Sequence, residues 1–448
     1  VAAAEGKVTV DFYLINEKNV RGNHQLKISV TDYQGKVMEV GTYETEAAGG
    51  EVYGQLLVKD VKIPVPTAGG LCRIEAKLCK ENSVVTTGYD DILSVNLASN
   101  MLDGKGAVWE DGSALQNFLK GKTKEAVAAY EDNLGKLDWI MVARPPRKDQ
   151  LTMVPMEALR SADGKPGLDV VYYEDMEFQK EVYHEVAKVV NLSAIEGATP
   201  SPFVYMLDGY GIKWSGKVLP SVSGEYTIIP QSNDRSMIEV FVNGKKIYEI
   251  TRKKEHLGDG KVYLEEGKSA DIEIRFRHPR SNARCRLDWA VPNDKMPDAQ
   301  RLMERAVNDG TKIFIIQSAD EWSEFIAANS KAVFKDKFFV GTNWLGGVMF
   351  NKPHDIFKEL PVGNALNWPY QALIHTGVER MGLVMEGEEL LVGAYHTYPM
   401  AIGTAMGIVP MGKGSVLFST LDIYGNIIND SAAGLVAKKL IFNMIDFK

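Results

Sequence analysis

Few side chains in this sequence are spaced for chemistry. Trp109 is followed by two adjacent carboxylates, Glu110 and Asp111. Retaining glycoside hydrolysis needs two carboxyl groups about 5 Å apart across the bond, one acting as acid/base and one as nucleophile. Adjacent acids in a connecting segment more often form a solvated acidic turn, and that is the expectation here. Cys72, Cys79 and Cys285 are the three cysteines, and an odd number excludes a pure disulfide framework. Cys72 and Cys79 fall on opposite faces of one strand unless a bend intervenes, and all three are expected to be buried or half-buried thiols. The seven histidines (His24, His184, His256, His278, His354, His375 and His396) form no HExxH motif. There is no Cys-x-x-Cys either, so the spacing indicates no metal site. The stretch "GIVPMGKGS" carries Lys413, but Gly414 stands where a phosphate-binding loop needs serine or threonine. It is expected to be a tight turn between strands.

The elements that must position these groups follow from periodicity. Residues 7–99 contain short alternating or apolar runs ("KVTVDFYLIN", "HQLKISVTDY", "LCRIEAKLC") separated by glycine-rich turns. Such runs predict a β-sandwich, immunoglobulin-like in style. Within 113–134, Leu115, Phe118, Leu119, Ala126, Val127, Tyr130 and Leu134 have helical spacing. The apolar "LDWIMVARPP" then predicts a strand of a parallel sheet covered on both faces. Residues 165–291 return to strand patterns, and Asn243-Gly244 between "IEVFV" and "KKIYEI" predicts a type I′ hairpin. After Pro297 the helix–strand alternation resumes: "PDAQRLMERAVNDG", "TKIFIIQS", "ADEWSEFIAAN" and a last helix, "SAAGLVAKKLIFNMI". A helix–strand piece at 113–160 has too little core to stand alone. The economical reading is one discontinuous doubly wound domain interrupted by a β-rich insertion. Within it, Asn367, Trp368, Tyr370, His396, Thr397 and Tyr398 are dense in amphipathic side chains. They are candidates to line a crevice at the carboxyl ends of strands, to fill the domain's own core, or to pack against a neighbouring domain.

With 448 residues and 45% hydrophobic content, the chain can bury several cores. The net charge of −8 comes without any strongly basic stretch, which argues against a nucleic-acid partner. No apolar run reaches the roughly 18 residues that span a bilayer, so no membrane span is expected. The chain opens on Val1, and a processed or cut N-terminus is the expectation.

Several pieces resemble known families. "GLDVVYYED", "IKWSGKVLPSVSGEYTI", "SNDRSMIEVFVNGKKI" and "DIEIRFRH…RLDW" occur in the order of the protective-antigen-type β-sandwich, a module of bacterial glycosidases, toxins and fungal adhesins. This resemblance implies glycan recognition. Aromatic faces would stack on sugar C–H patches, with Tyr210, Trp214 and Trp289 as candidates, each also suited to the sandwich core. Planar polar groups would bridge hydroxyls, with Asp208, Asn233, Asp234 and Asp288 as candidates. In calcium-dependent members an acidic turn holds the ion. Here that turn reads Asn233-Asp234, which keeps two ligand oxygens and loses one charge.

The opening "VDFYLINEKNVRGNHQLKISVTDYQGK" resembles the sandwich that follows the catalytic barrel in family-two, β-galactosidase-like glycoside hydrolases. "NKPHDIFKELPVGNALNWPYQ" and "LLVGAYHTYPMAIGTAMGIVPMGKGSVLFSTLDI" resemble accessory, glutamine-amidotransferase-like domains of the same enzymes. The fold class expected is therefore multidomain α/β plus all-β. An immunoglobulin-like sandwich occupies 1–112, and a discontinuous flavodoxin- or amidotransferase-like doubly wound domain occupies 113–164 and 292–448. A protective-antigen-type sandwich is inserted at 165–291. The resemblance implies a bacterial, periplasmic or surface-exposed accessory region whose partners are a glycan and the catalytic barrel of the same parent chain. A free-standing carbohydrate-binding or adhesin-like protein, and a hydrolase using the α/β pocket, are the rival readings. No stretch shows the eight strand–helix repeats of a barrel. An active amidotransferase needs a cysteine at a strand–helix elbow with a histidine as base. All three cysteines lie outside both α/β pieces, and His396 has no thiol to activate.

Overall fold

A computed structural model describes residues 1–81, 83–97, 101–146, 151–194, 199–232, 236–280, 282–292, 297–340, 347–374, 381–397, 400–428 and 432–447. The chain is multidomain and mostly β, and it divides into two compact units. One comprises Val1–Asn100, Pro353–Tyr370 and Asn429–Lys448; the other comprises Met101–Lys352 and Gln371–Ile428.

In the first unit a five-stranded sheet runs in the spatial order Ala2–Ala3, Ser83–Val95, Gly70–Lys80, Arg21–Thr31, Val37–Ala48. A two-stranded sheet of Lys7–Ile15 and Gly54–Pro64 completes the sandwich. Alternation in Arg21–Thr31 sends Leu26, Ile28 and Val30 inward, where they cluster with Leu14, Val61 and Ile63 of the smaller sheet. Cys72 and Cys79 share the Gly70–Lys80 strand, and a register shift between Leu78 and Cys79 lets both thiols be buried. Cys285 is buried too, and all three are free, as expected. The helix Ala432–Asp446 belongs to this unit by its contacts, although the sequence pattern assigns it to the α/β domain. Lys439 on that helix bonds the Glu359 carboxylate at 2.6 Å and the Asn96 carbonyl at 3.2 Å. Asn443 bonds the carbonyls of Ile356 and Lys358, each at 2.9 Å.

The second unit contains a ten-stranded mixed sheet and a β-sandwich inserted into it. Gly106–Glu110, Trp139–Ala143, Lys312–Ile315 and Gly414–Ser419 lie side by side and parallel. Trp139–Ala143 is buried at every residue, as a strand covered on both faces must be. Beyond Gly414–Ser419 the sheet turns antiparallel through Ala401–Met411, Glu389–His396 and Met381–Glu386. The sheet is therefore mixed, not uniformly parallel. The reason is local: Gly412, at φ 58°, and Lys413 make the tight turn expected of "GIVPMGKGS", folding Ala401–Met411 back on Gly414–Ser419 as a hairpin.

Helices flank this sheet. Ala299–Asp309 is capped by the Asp298 carboxylate, which accepts from the Gln300 and Arg301 N–H groups, and it stops at left-handed Gly310. The helix expected over 113–134 is cut short at Ala114–Leu119. Lys120 leaves the helical region and Gly121 takes φ 73°. The chain then extends, so that Ala128–Ala129 pairs with Gly106–Glu110. Tyr130 packs on Trp109 with ring centroids 5.7 Å apart.

The chain leaves this sheet after Ala143 and re-enters it at Lys312–Ile315, after the helix Ala299–Asp309. The intervening sandwich stacks an eight-stranded sheet on a five-stranded one around Ile212, Ile228, Ile274, Phe276 and Leu287, all fully buried. The Asn243-Gly244 hairpin forms with φ 48° and 74°, as a type I′ turn requires. The two ends of the insertion pair with each other: Thr152 lies opposite Trp289 and Met153 opposite Asp288.

Candidate functional site

A cleft of about 550 Å³ opens in the second unit, where the parallel strands end. Carboxyl ends of such strands are where open α/β sheets bind ligands, because the chain there passes into loops free to vary. Pro145 follows Trp139–Ala143; Gln317 and Ser318 follow Lys312–Ile315; Thr420 and Asp422 follow Gly414–Ser419. The opposite wall is supplied by the inserted sandwich through Gln231, Ser232, Arg284, Arg286 and Asp288.

Strand periodicity explains this wall. In Ala283–Ala290, Cys285, Leu287 and Trp289 point into the sandwich core, each at most 1% exposed. Arg284, Arg286 and Asp288 must then point the other way. Arg286 grips Asp288 as a two-pronged fork, Nε to Oδ1 at 2.7 Å and Nη2 to Oδ2 at 2.6 Å. Burial pushes the Asp288 carboxyl above its usual range, and the Arg286 guanidinium opposes that shift. Arg284 lies over the Phe339 ring, 5.8 Å from its centroid. On the host side, Lys337 pairs with Asp320 at 2.7 Å.

Ser318 occupies the strand–helix elbow in the left-handed region (φ 55°, ψ 35°) and makes no side-chain capping bond to its helix, Ala319–Ala328. The side chain at this elbow is a hydroxyl, and none of the three cysteines lies in the cleft. No histidine is among the described residues that line the cleft. Beside Ser318, the Oε1 of Gln317 is buried and has no hydrogen-bond partner.

Other candidates fall elsewhere. Tyr210, Trp214 and Trp289 are 1%, 3% and 1% exposed. Their neighbours are core rings: His278 beside Tyr210, Phe276 against Trp214, Tyr226 against Trp289. Buried among protein rings, they offer no open face for a sugar and act as core. Asp208 is exposed at the surface and is not among the cleft residues. Asn233 and Asp234, the calcium-turn candidates, lie outside the described residues, as does Tyr398. Asn367, Trp368 and Tyr370 belong to the first unit and His396 to the second. Tyr370 is buried, its hydroxyl donating to the Pro361 carbonyl at 2.6 Å; Asn367 and Trp368 are exposed, and His396 is half-buried. Among the described residues, no group of three or more His, Cys, Asp or Glu side chains gathers as a metal site would.

The Glu110–Asp111 pair is not the solvated turn its sequence suggests. Glu110 accepts the N–H groups of Leu115 and Gln116 at 3.1 and 2.9 Å and the Tyr424 hydroxyl at 2.7 Å. Burial holds its carboxyl above the usual range against these three bonds. Asp111 pairs with Arg144, and both side chains are nearly buried. It also accepts the Thr152 hydroxyl at 2.7 Å, tying the host sheet to the first strand of the insertion. Both acids are fully employed in structure.

Residues 164–301 match the PA14 domain. This interval takes in most of the inserted sandwich, from the strand Leu168–Tyr173 onward, and runs on into the first turn of the following helix. The anti-sigma-I factor RsgI3 of Acetivibrio thermocellus is 28% identical over 127 residues, which cover 28% of this chain and 19% of that protein. The chain thus spans less than a fifth of the length of this curated relative. Among solved structures, a β-glucosidase from Kluyveromyces marxianus is 12% identical with a TM-score of 0.33, over 50% of this chain and 30% of that one. The epithelial adhesin 9 A domain of Candida glabrata, solved with Galβ1-3GlcNAc, is 14% identical with a TM-score of 0.23, over 34% of this chain and 89% of that one. The PA14 domain thus supplies one wall of the cleft, and sequence reasoning missed Arg284 and Arg286 on it. The signal was present in the alternation of "ARCRLDWA", where Trp289 and Asp288 cannot face the same side.

Proposed function

We propose that this chain is a non-catalytic, glycan-binding accessory region of a glycoside hydrolase, with the PA14 domain as its recognition module. The observation that carries the reading is the PA14 domain itself, whose Ala283–Ala290 strand turns a row of planar, hydrogen-bonding side chains toward a polar cleft. Planar polar groups of this kind bridge vicinal hydroxyls. The β-galactosidase-like pattern of the first sandwich and of the C-terminal segments supports a parent enzyme whose barrel is the structural partner. A polysaccharide substrate would place that enzyme in the periplasm or at the cell surface.

Non-catalytic action is supported by the chemistry of the described residues. The elbow presents Ser318 where acyl transfer by an amidotransferase needs a thiolate and its base. Glu110 and Asp111 are committed to a helix start and to Arg144. The test is a glycan array screened with the purified chain, with Ca²⁺ and then with chelator, beside Asp234→Ala. Selective binding to a glycan class is expected. Binding lost with chelator and in the variant would assign the Asn233-Asp234 turn a calcium-borne role. An empty array under both conditions would sink the glycan-binding reading in favour of a scaffold, and turnover of an aryl glycoside by this chain alone would refute the non-catalytic one.

A further inference from the structure

We propose that the cleft at the carboxyl ends of the parallel strands is the seat of a short, neutral saccharide, held jointly by the Arg284–Asp288 row and the Gln317-Ser318 elbow. This rests on the glycan-binding reading above and adds to it the place and the chemical class of the ligand.

Three observations select that class. The cleft, at about 550 Å³, lies within the roughly 300–1,000 Å³ usual for small-molecule sites. No aromatic side chain is among its described lining residues, so it lacks the walls that an apolar or planar aromatic ligand requires. Its charges nearly balance, with Arg284, Arg286 and Lys337 set against Asp288, Asp320, Glu321 and Asp422. A phosphorylated or sulfated ligand would call for a clear surplus of cationic donors. A neutral polyol is served by both signs, because each of its hydroxyls donates and accepts.

The unpartnered Gln317 side-chain amide favours a ligand hydroxyl, which donates and accepts and so suits either orientation of the amide. Buried acceptors in folded proteins almost always find a donor. Here no described residue provides one, although Arg286 and Lys337 bring donors to the same cleft. A fully deprotonated anion such as sulfate could not satisfy this oxygen, since it has no proton to give. A sugar hydroxyl can donate to it while accepting from a guanidinium on the facing wall. Ser318, whose hydroxyl does not cap its own helix, stands next to this point to take a second hydroxyl.

The test is titration calorimetry on the full chain with galactose, glucose, xylose, lactose and cellobiose, with inorganic phosphate as the anionic probe. At least one saccharide is expected to bind and phosphate is not. Gln317→Leu should weaken saccharide binding by roughly five- to ten-fold, the worth of one hydrogen bond. The same change should leave Tm unchanged or raised, because it removes an unsatisfied buried acceptor. If Tm falls instead, Arg284→Ala decides: retained binding there overturns the proposal, and weakened binding supports it. Saccharide or array binding that survives undiminished in Gln317→Leu would overturn the cleft as the seat while leaving glycan binding intact. Phosphate binding in preference to every sugar would overturn the ligand class. An empty array together with silent calorimetry would overturn both readings.

Discussion

The buried pair of Asp111 and Arg144 offers the sharpest energetic test of how the insertion is joined to its host. Their side chains are only 12% and 6% exposed. Arg144 also donates Nε–H to the Pro145 carbonyl at 3.2 Å and lies 5.6 Å from the Trp109 ring centroid. Asp111→Asn keeps the shape and an acceptor oxygen for Thr152, and removes one charge. Arg144 would then sit desolvated with no counter-ion. Breaking one side of such a pair costs about 3–5 kcal/mol, since the remaining charge has lost its compensation. Replacing both partners, as in Asp111→Asn with Arg144→Met, should return about 2 kcal/mol or more, because the methionine can still cover Trp109 and no charge remains buried. The assay is native-state hydrogen exchange read on peptides covering Trp139–Ala143, which report the free energy of opening that strand. A loss below about 1 kcal/mol in the single variant, with no recovery in the double, would show that water reaches Arg144 and that the burial argument fails.

Two further outcomes follow from the same unit. Burial holds Glu110 above its ordinary value of 4.5, so the folded protein binds that proton better than the unfolded chain does. Its contribution is therefore fully present below pH 4.5 and fades as pH rises through the native value; the Tm of the parent relative to Glu110→Gln should fall across that rise, and a difference independent of pH would count against it. Gly106→Ala would place a Cβ about 2.0 Å from the buried Trp139 ring. It should destabilise the protein by about 1–3 kcal/mol or more, measured by urea unfolding.

Much of this architecture is legible in the sequence because local signals agree with the fold. Asn243-Gly244 announces its hairpin, Asp298 and Gly310 announce the two ends of one helix, and "LDWIMVARPP" announces a strand with no solvent face. The adjacency of Trp139–Ala143 and Lys312–Ile315, paired from Trp139 with Lys312 onward, follows from asking where an orphan strand could find a sheet. What was not legible has physical causes. Apolar spacing after Lys120 fits a helix equally well, and the backbone of Gly121 decides against it. "MAIGTAMGIVP" is apolar throughout, which marks burial and leaves open whether its neighbour runs parallel or antiparallel. Charged residues in "ARCRLDWA" look like a solvated strand face, and only a second domain across from them turns that face into a cleft wall. The isolated Trp214 and Trp289 suggested sugar platforms, but the inward phase of their strands settles them in the core.

The pairing of Thr152–Met153 with the strand that ends the insertion has a consequence for how the chain assembles. To the host sheet, the residues between Ala143 and Lys312 are one very long loop, and closing a flexible loop of that length would cost roughly 4–5 kcal/mol in chain entropy. Once the insertion has folded, its first and last strands lie side by side, and the sheet sees only the segments that flank them, one of which carries the helix Ala299–Asp309. The folded sandwich therefore acts as a splint that holds the ends of the host chain close together.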